Sequence, residues 1–181
     1  MEDSEILEKF QEEKTRHDAF HQLIKKYQER IYWHVRKMVI VHEDTDDLTQ
    51  DIFIKVYNHL EGFKQNSQLF TWIYRIATNE CLSFLKKKRV RFFIPIHDVE
   101  GELSNKIESE SIVDGNEIEI KLQKALLTLP EKQRLVFNMK YFDELKYDQI
   151  SEILGTSVGG LKASYHHAVK KLEVYLENEI V

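Results

Sequence analysis

Residues 147–172 read YDQISEILGTSVGGLKASYHHAVKKL, and their spacing decides the fold. Tyr147 to Leu154 has the pattern of a short amphipathic helix, Gly155-Thr156-Ser157 forms a tight turn ending in an N-cap, and a longer helix follows. That order is a helix-turn-helix. On its second helix Val158, Leu161, Tyr165, Ala168 and Leu172 recur at spacings of three and four, which places them on one buried face. The remaining surface carries Gly159, Lys162, Ala163, His166, His167 and Lys170, with Ser157 and Gly160 at the helix start. Small residues there allow close approach, and the others offer donors to base edges or phosphates. The pattern alone leaves two readings open, because helices joined by a glycine turn also occur in all-α proteins that never touch DNA.

Working outward, Thr128-Leu129-Pro130-Glu131 has capping-box spacing with proline in the first turn, predicting a helix over 130–141 preceded by one over 117–128. Residues 92–118 (FFIPIHDVEGELSNKIESESIVDGNEI) hold Pro95, Gly101 and Gly115, lack helical periodicity and concentrate acid, so they read as a flexible acidic linker. Before them the periodicity predicts helices over 4–15, 17–39, 45–61 (opened by Asp44/Thr45 capping) and 68–88. The expected fold is all-α: two small helical domains, residues 1–91 and 119–181, joined by the linker over 92–118, with no sheet.

Composition agrees. In 181 residues, 42% apolar side chains suffice for two small cores, and six Gly with two Pro suit helices. The single Cys81 cannot form an internal disulfide. No apolar run approaches the about 20 residues of a membrane span, and the acidic start MEDSEILEKF is unlike a signal peptide, so a soluble, cytoplasmic chain is expected. The net charge of −5 is unevenly spread: residues 1–91 carry 16 Lys+Arg and 15 Asp+Glu, residues 92–119 carry 1 and 8, and residues 120–181 carry 9 and 8. Each half is thus slightly basic, and nucleic-acid binding is not excluded by the acidic total.

On the helix expected from Thr45, Ile52, Phe53, Val56 and Leu60 gather on one side. Asp47, Asp51, Ile54 and Asn58 share the other, flanked by Gln50 and Lys55. An isoleucine among outward carboxylates fits a docking patch for a basic protein helix. It equally fits a solvated acidic face in which Asp46 and Asp47 favour the helix dipole.

The helix from Gln68 is expected to bury Leu69, Phe70, Ile73, Ala77, Cys81 and Phe84. That leaves a polar strip of Thr71, Arg75, Thr78, Asn79 and Lys86 with Trp72 at its edge. The strip continues the loop Phe63, Lys64, Gln65, Asn66, Ser67, whose amides and hydroxyl suit the Watson–Crick edge of an extruded base. Trp72 fits either packing or base stacking. Lys86-Lys87-Lys88-Arg89-Val90-Arg91 places five cations in six positions, which solvent or phosphates must neutralise.

These residues resemble an extracytoplasmic function (ECF, group IV) sigma factor of the sigma-70 family over nearly the whole chain. Asp47-Leu48-Thr49-Gln50-Asp51-Ile52-Phe53-Ile54-Lys55-Val56-Tyr57 looks like the region 2.2 helix that docks on the clamp helices of the polymerase beta-prime subunit. Phe70-Thr71-Trp72-Ile73-Tyr74-Arg75-Ile76-Ala77-Thr78-Asn79 is similar to the segment that melts and reads the minus-ten promoter element. Leu129-Pro130-Glu131-Lys132-Gln133-Arg134-Leu135-Val136-Phe137 with the helix-turn-helix looks like region 4, which reads the minus-thirty-five element as duplex.

The resemblance implies core RNA polymerase and promoter DNA as partners, often an anti-sigma factor as well, and no cofactor. It implies polymerase contacts from Asp47, Gln50, Asp51, Ile54, Lys55 and Asn58. Minus-ten contacts are implied from Phe63, Lys64, Gln65, Asn66, Ser67, Thr71, Trp72, Arg75, Asn79, Lys86, Arg89 and Arg91. Minus-thirty-five contacts are implied from Ser157, Gly159, Gly160, Lys162, Ala163, His166, His167 and Lys170.

The competing reading is a helix-turn-helix regulator with an N-terminal sensing or dimerisation domain, which would bind an operator without polymerase. An enzyme is not expected, since the sequence has no phosphate-cradling glycine loop and no nucleophile–base pair. His17 and His21 have i, i+4 spacing but no third ligand, and adjacent His166 and His167 point about 100° apart, so no metal site is expected.

Overall fold

The structure, a computed structural model, describes residues 1–91 and 117–180, except for the side chains of residues 89–91, 117–120 and 179–180. The expected acidic linker thus lies outside the described residues, apart from its last two positions. Among the described residues eight helices follow in order: α1 (Asp3–Gln11), α2 (Arg16–Val39), α3 (His42–Leu60), α4 (Leu69–Arg91), α5 (Glu117–Leu127), α6 (Glu131–Tyr141), α7 (Tyr147–Leu154) and α8 (Val158–Ile180). Among the described residues there is no strand.

Helix α2 is the spine of the first half, because Ala19, Leu23, Tyr27, Ile31 and Met38 form one buried line at spacings of four and seven. The Tyr27 hydroxyl donates to Asp3 Oδ1 at 2.6 Å and Lys26 reaches the same carboxylate at 2.7 Å, fixing α1 against it. A link of two residues then reverses the chain. Ile40 adopts φ 71°, unusual for a β-branched residue, and its N–H donates to Arg36 O at 2.9 Å. Burial of Ile40 at 5% exposure holds it there.

Two capping expectations are corrected. Helix α3 starts at His42 rather than Thr45, because Thr45 is drawn fully inside and its hydroxyl donates back to Val41 O at 2.7 Å. Thr128 does not cap α6. Its hydroxyl donates to Ala125 O at 2.7 Å, closing α5 instead, and α6 begins directly after Pro130. The helix-turn-helix forms as expected: Gly155 sits at φ 62° with its N–H donating to Ser151 O, and Ser157 Oγ accepts from the Gly160 N–H at 3.3 Å.

The two helical units each contribute to the packing, and they also meet. A small core of Leu126, Leu129, Phe137, Ala168 and Leu172 joins α5, α6 and α8. The larger core begins with Ile6, Phe10, Ile31, Ile52 and Tyr74 and continues without a break into Met139, Leu145, Ile150 and Leu161. The two helical units therefore lie against each other, α7 on α4 and α6 on α2. Aliphatic side chains such as Leu145 and Ile150, at 2% and 0% exposure, each contribute about 1.5–3 kcal/mol through burial.

Candidate protein and nucleic-acid interfaces

Helix α3 buries Ile52, Phe53, Val56 and Leu60, so its opposite face must be outward. Asp47, Gln50, Asp51, Lys55 and Asn58 are exposed there, and Ile54 is 59% exposed, which is unusual for a large aliphatic side chain. Ile54 forms the rim of an apolar groove of about 450 Å³ between α2 and α3, with Phe20, Ile24, Phe53 and Tyr57 in its walls. The Tyr57 ring is held edge-on by Phe10 at 5.4 Å and Phe20 at 4.9 Å. Thr49, also in the wall, has a buried Oγ1 with no hydrogen-bond partner among the described residues. Sequence reasoning found the rim and missed the α2 wall. Phe20 and Ile24 carry a helical-spacing signal, but nothing in the sequence sets them against α3. Lys55 is engaged in an ion pair with Glu80 on α4, and Lys88 pairs with Asp44, so two charge contacts fasten α3 to α4.

The loop between α3 and α4 exposes Lys64, Gln65 and Asn66, with Phe63 and Ser67 half-buried and Gln65 at φ 55°. Phe63 packs against half-buried Trp72 with ring centroids 5.1 Å apart and planes tilted 42°. That pair leaves part of the indole open at the loop's base. Arg75, Asn79 and Lys86 are exposed along α4, continuing the loop. The side chains of Arg89 and Arg91 lie outside the described residues.

Thr71 and Thr78 are corrected. Both were expected on the open strip, and both are 1% exposed. They lie seven residues apart on one line of α4, and that line is turned inward. The Thr78 hydroxyl is 2.8 Å from Tyr74 O and 3.0 Å from His34 Nε2, while His34 Nδ1 meets Asp143 Oδ2 at 3.0 Å. Lys37 pairs with the other Asp143 oxygen. Burial alone raises the Asp143 carboxyl, but the hydrogen bond and charge of His34, with those of Lys37, outweigh it and hold the group below its ordinary value.

On α8, Ser157, Gly159, Lys162, Ala163, His166, His167 and Lys170 are all exposed, and Gly160 is half-buried. A Cβ at Gly159 would meet only open space, so nothing inside the fold requires glycine there. At Gly160 it would come within 3.3 Å of the capping Ser157 hydroxyl. Tyr165 stacks on Phe137 at 5.6 Å and 14°, which fixes the rotation of α8 and turns this face outward. Lys162 Nζ lies 5.8 Å from the centre of the Tyr147 ring.

Among the described residues no cluster of three metal-ligating side chains occurs, and no helix is long and apolar enough to cross a membrane. Cys81 is buried and its thiol is pushed up to about 12, which suits a packing residue rather than a nucleophile.

Comparison with known proteins agrees along the chain. Residues 23–91 match the family model Sigma-70 region 2, and residues 119–172 match Sigma-70, region 4. The chain is 31% identical over 170 residues to the ECF RNA polymerase sigma factor SigW of Bacillus subtilis, spanning 89% of this chain and 90% of that one. It is 27% identical over 185 residues to the RNA polymerase sigma-H factor of Pseudomonas aeruginosa, spanning 97% and 94%. Its fold is similar to that of the sigma factor RpoE solved in complex with the anti-sigma factor NepR from Bartonella quintana, with a TM-score of 0.68 at 20% identity over 87% of this chain and 96% of that one. It is similar also to CnrH solved in complex with the cytosolic domain of CnrY, with a TM-score of 0.67 at 20% identity over 90% of each chain. Two sigma-70 regions in one helical chain, with a full-length relative above 30% identity, establish that this chain belongs to the ECF sigma factors of the sigma-70 family.

Proposed function

We propose that this RNA polymerase sigma factor, of group IV, works through three separate faces. Asp47, Gln50, Asp51, Ile54, Lys55 and Asn58 dock residues 1–91 on the clamp helices of the polymerase beta-prime subunit. The observation that carries this reading is Ile54, 59% exposed at the lip of an apolar groove, on the helix face that also carries exposed Asp47 and Asp51. Such a surface matches a basic amphipathic helix: the groove buries apolar contacts, and the acids steer approach and fix register.

Phe63 to Ser67 with Trp72, Arg75 and Asn79 then receive unpaired bases of the minus-ten element, with Lys86, Arg89 and Arg91 neutralising phosphates. Ser157, Gly159, Gly160, Lys162, Ala163, His166, His167 and Lys170 in residues 119–181 read the minus-thirty-five element as duplex. The acidic segment 92–118 joins the two units. The factor catalyses no reaction of its own and acts in the cytoplasm, with an anti-sigma factor as a further partner.

The test is transcription from a genomic fragment library by core polymerase, with and without the purified chain. A set of start sites sharing two upstream motifs, present only with the chain, is the expected result. Operator binding with no polymerase association and no new transcripts would overturn it.

A further inference from the structure

The apolar groove beside Ile54 keeps its shape through residues that do not line it. The half-buried Tyr57 ring forms one wall, so its position is set by what stands behind it. Phe10 of α1 meets that ring edge-on, with centroids 5.4 Å apart and planes at 83°, and Phe20 of α2 does the same at 4.9 Å and 77°. Phe10 itself is 1% exposed and lies behind the lining. Edge-to-face rings constrain one another's rotation as well as their separation.

Arg16, the first residue of α2, holds Phe10 in place. Its Nε donates to Phe10 O at 3.1 Å, its guanidinium stands 5.2 Å from the centre of the Phe10 ring, and its Nη2 lies 3.7 Å from Glu61 Oε2, just past the end of α3. One side chain thus joins α1, α2 and α3 on the Tyr57 side of the groove. The Thr15 hydroxyl supports the same turn by donating to Lys9 O at 2.7 Å. At the other end of α1, Asp3 is tied to Tyr27 and Lys26. The match to Sigma-70 region 2 starts at residue 23, so Phe10, Arg16 and Phe20 all precede it.

We infer that α1 is the positioning element of the docking groove: Phe10, pinned by Arg16, locks the Tyr57 ring as a ready-made wall and so raises affinity for the polymerase helix without touching it. This rests on the reading of the groove as the polymerase-docking surface. A wall that is already immobile spares the partner the cost of ordering it. With Phe10 cut to alanine, Tyr57 keeps only the Phe20 ring and the more distant His17 ring at 6.3 Å, and it can turn into the groove or away from it. Core polymerase binding should weaken about 5- to 10-fold in Phe10→Ala and about 2- to 5-fold in Arg16→Gln, which leaves the ring but removes its pin. Phe10→Leu, which refills most of the space, should stay within about twofold of the parent.

The full chain and its variants are compared by titration with core polymerase, by thermal melts and by isoleucine methyl NMR spectra. In Phe10→Ala the methyl signals of Ile24 and Ile54, which line the groove, should shift or broaden, while those of Ile150, buried in the other unit, stay in place. Affinity should fall in step with those shifts across Phe10→Ala, Arg16→Gln and Phe10→Leu, an ordering that lost stability does not produce while all three stay folded at the assay temperature. Where Phe10→Ala gives no cooperative melt, Arg16→Gln carries the same comparison, since that side chain is part-exposed. Unmoved Ile24 and Ile54 signals would overturn the positioning role. So would shifted signals with unchanged polymerase affinity, provided Ile54→Ala does bind more weakly. If Ile54→Ala also binds as tightly as the parent, the docking reading is what fails, and the methyl signals alone decide whether α1 shapes the groove.

Discussion

Ile54→Ala is the sharpest perturbation of the proposed polymerase surface, because it removes apolar area that the fold does not use. Burying an entire isoleucine side chain contributes about 1.5–3 kcal/mol, and 59% of Ile54 remains available to a partner, leaving about 1–2 kcal/mol for docking. At 1.4 kcal/mol per tenfold, the truncation should weaken core polymerase binding about 5- to 30-fold. Ile54→Val, which removes one methylene, should cost roughly twofold. Folding should be unaffected to within about 0.5 kcal/mol, as an exposed side chain carries little stability. The assay is a titration of labelled protein with core polymerase at fixed salt, beside a thermal melt of each variant. Adding Asp51→Lys should slow association further and invert its salt dependence, because the acids act by steering. Unchanged affinity in Ile54→Ala, with an unchanged melt, would refute the claim that this groove is the docking site.

Three further outcomes are expected. Asn79→Ala should weaken binding of holoenzyme to minus-ten single strands by about 1–3 kcal/mol at one base identity, and a uniform loss across sequences would mean a backbone contact instead. Gly155→Ala should destabilise the protein by about 1 kcal/mol in a melt, since φ 62° disfavours a side chain although a Cβ there meets no neighbour; Gly155→Asn should recover part of that. The Asp143 carboxyl, facing His34 and Lys37 and held below its ordinary value of 3.8, stabilises the docked arrangement above that value and loses this contribution as pH falls through the lowered one. A thermal melt of the parent chain should therefore show stability lost in acid, and Asp143→Asn should lack that step.

What was legible and what was not follows the range of the interactions. Ile52, Phe53, Val56 and Leu60 buried with Ile54 exposed is a statement about one helix, and the period of 3.6 residues reveals it without any partner. The same holds for Leu161, Ala168 and Leu172 beneath the α8 reading face. Thr45 was misread as a cap because a threonine at a helix start is ordinarily one, and only its burial among other helices shows it inside. Thr71 and Thr78 were misread for a stronger reason. Polar residues are placed outward by default, and the partners that admit Thr78 to the interior arrive through contacts spanning 44 and 109 positions.

By itself the sequence determined the all-helical fold, the apolar faces of α3 and α8, and the helix-turn-helix. Each of these depends on capping and periodicity within a few turns of chain, where neighbours in sequence are neighbours in space. Only the tertiary structure decided that α2 supplies half of the groove beside Ile54, and that the two units close on a buried Asp143. A carboxylate is tolerated there because His34 and Lys37 converge on it from the other half, and convergence of that kind has no signature in any local stretch of sequence.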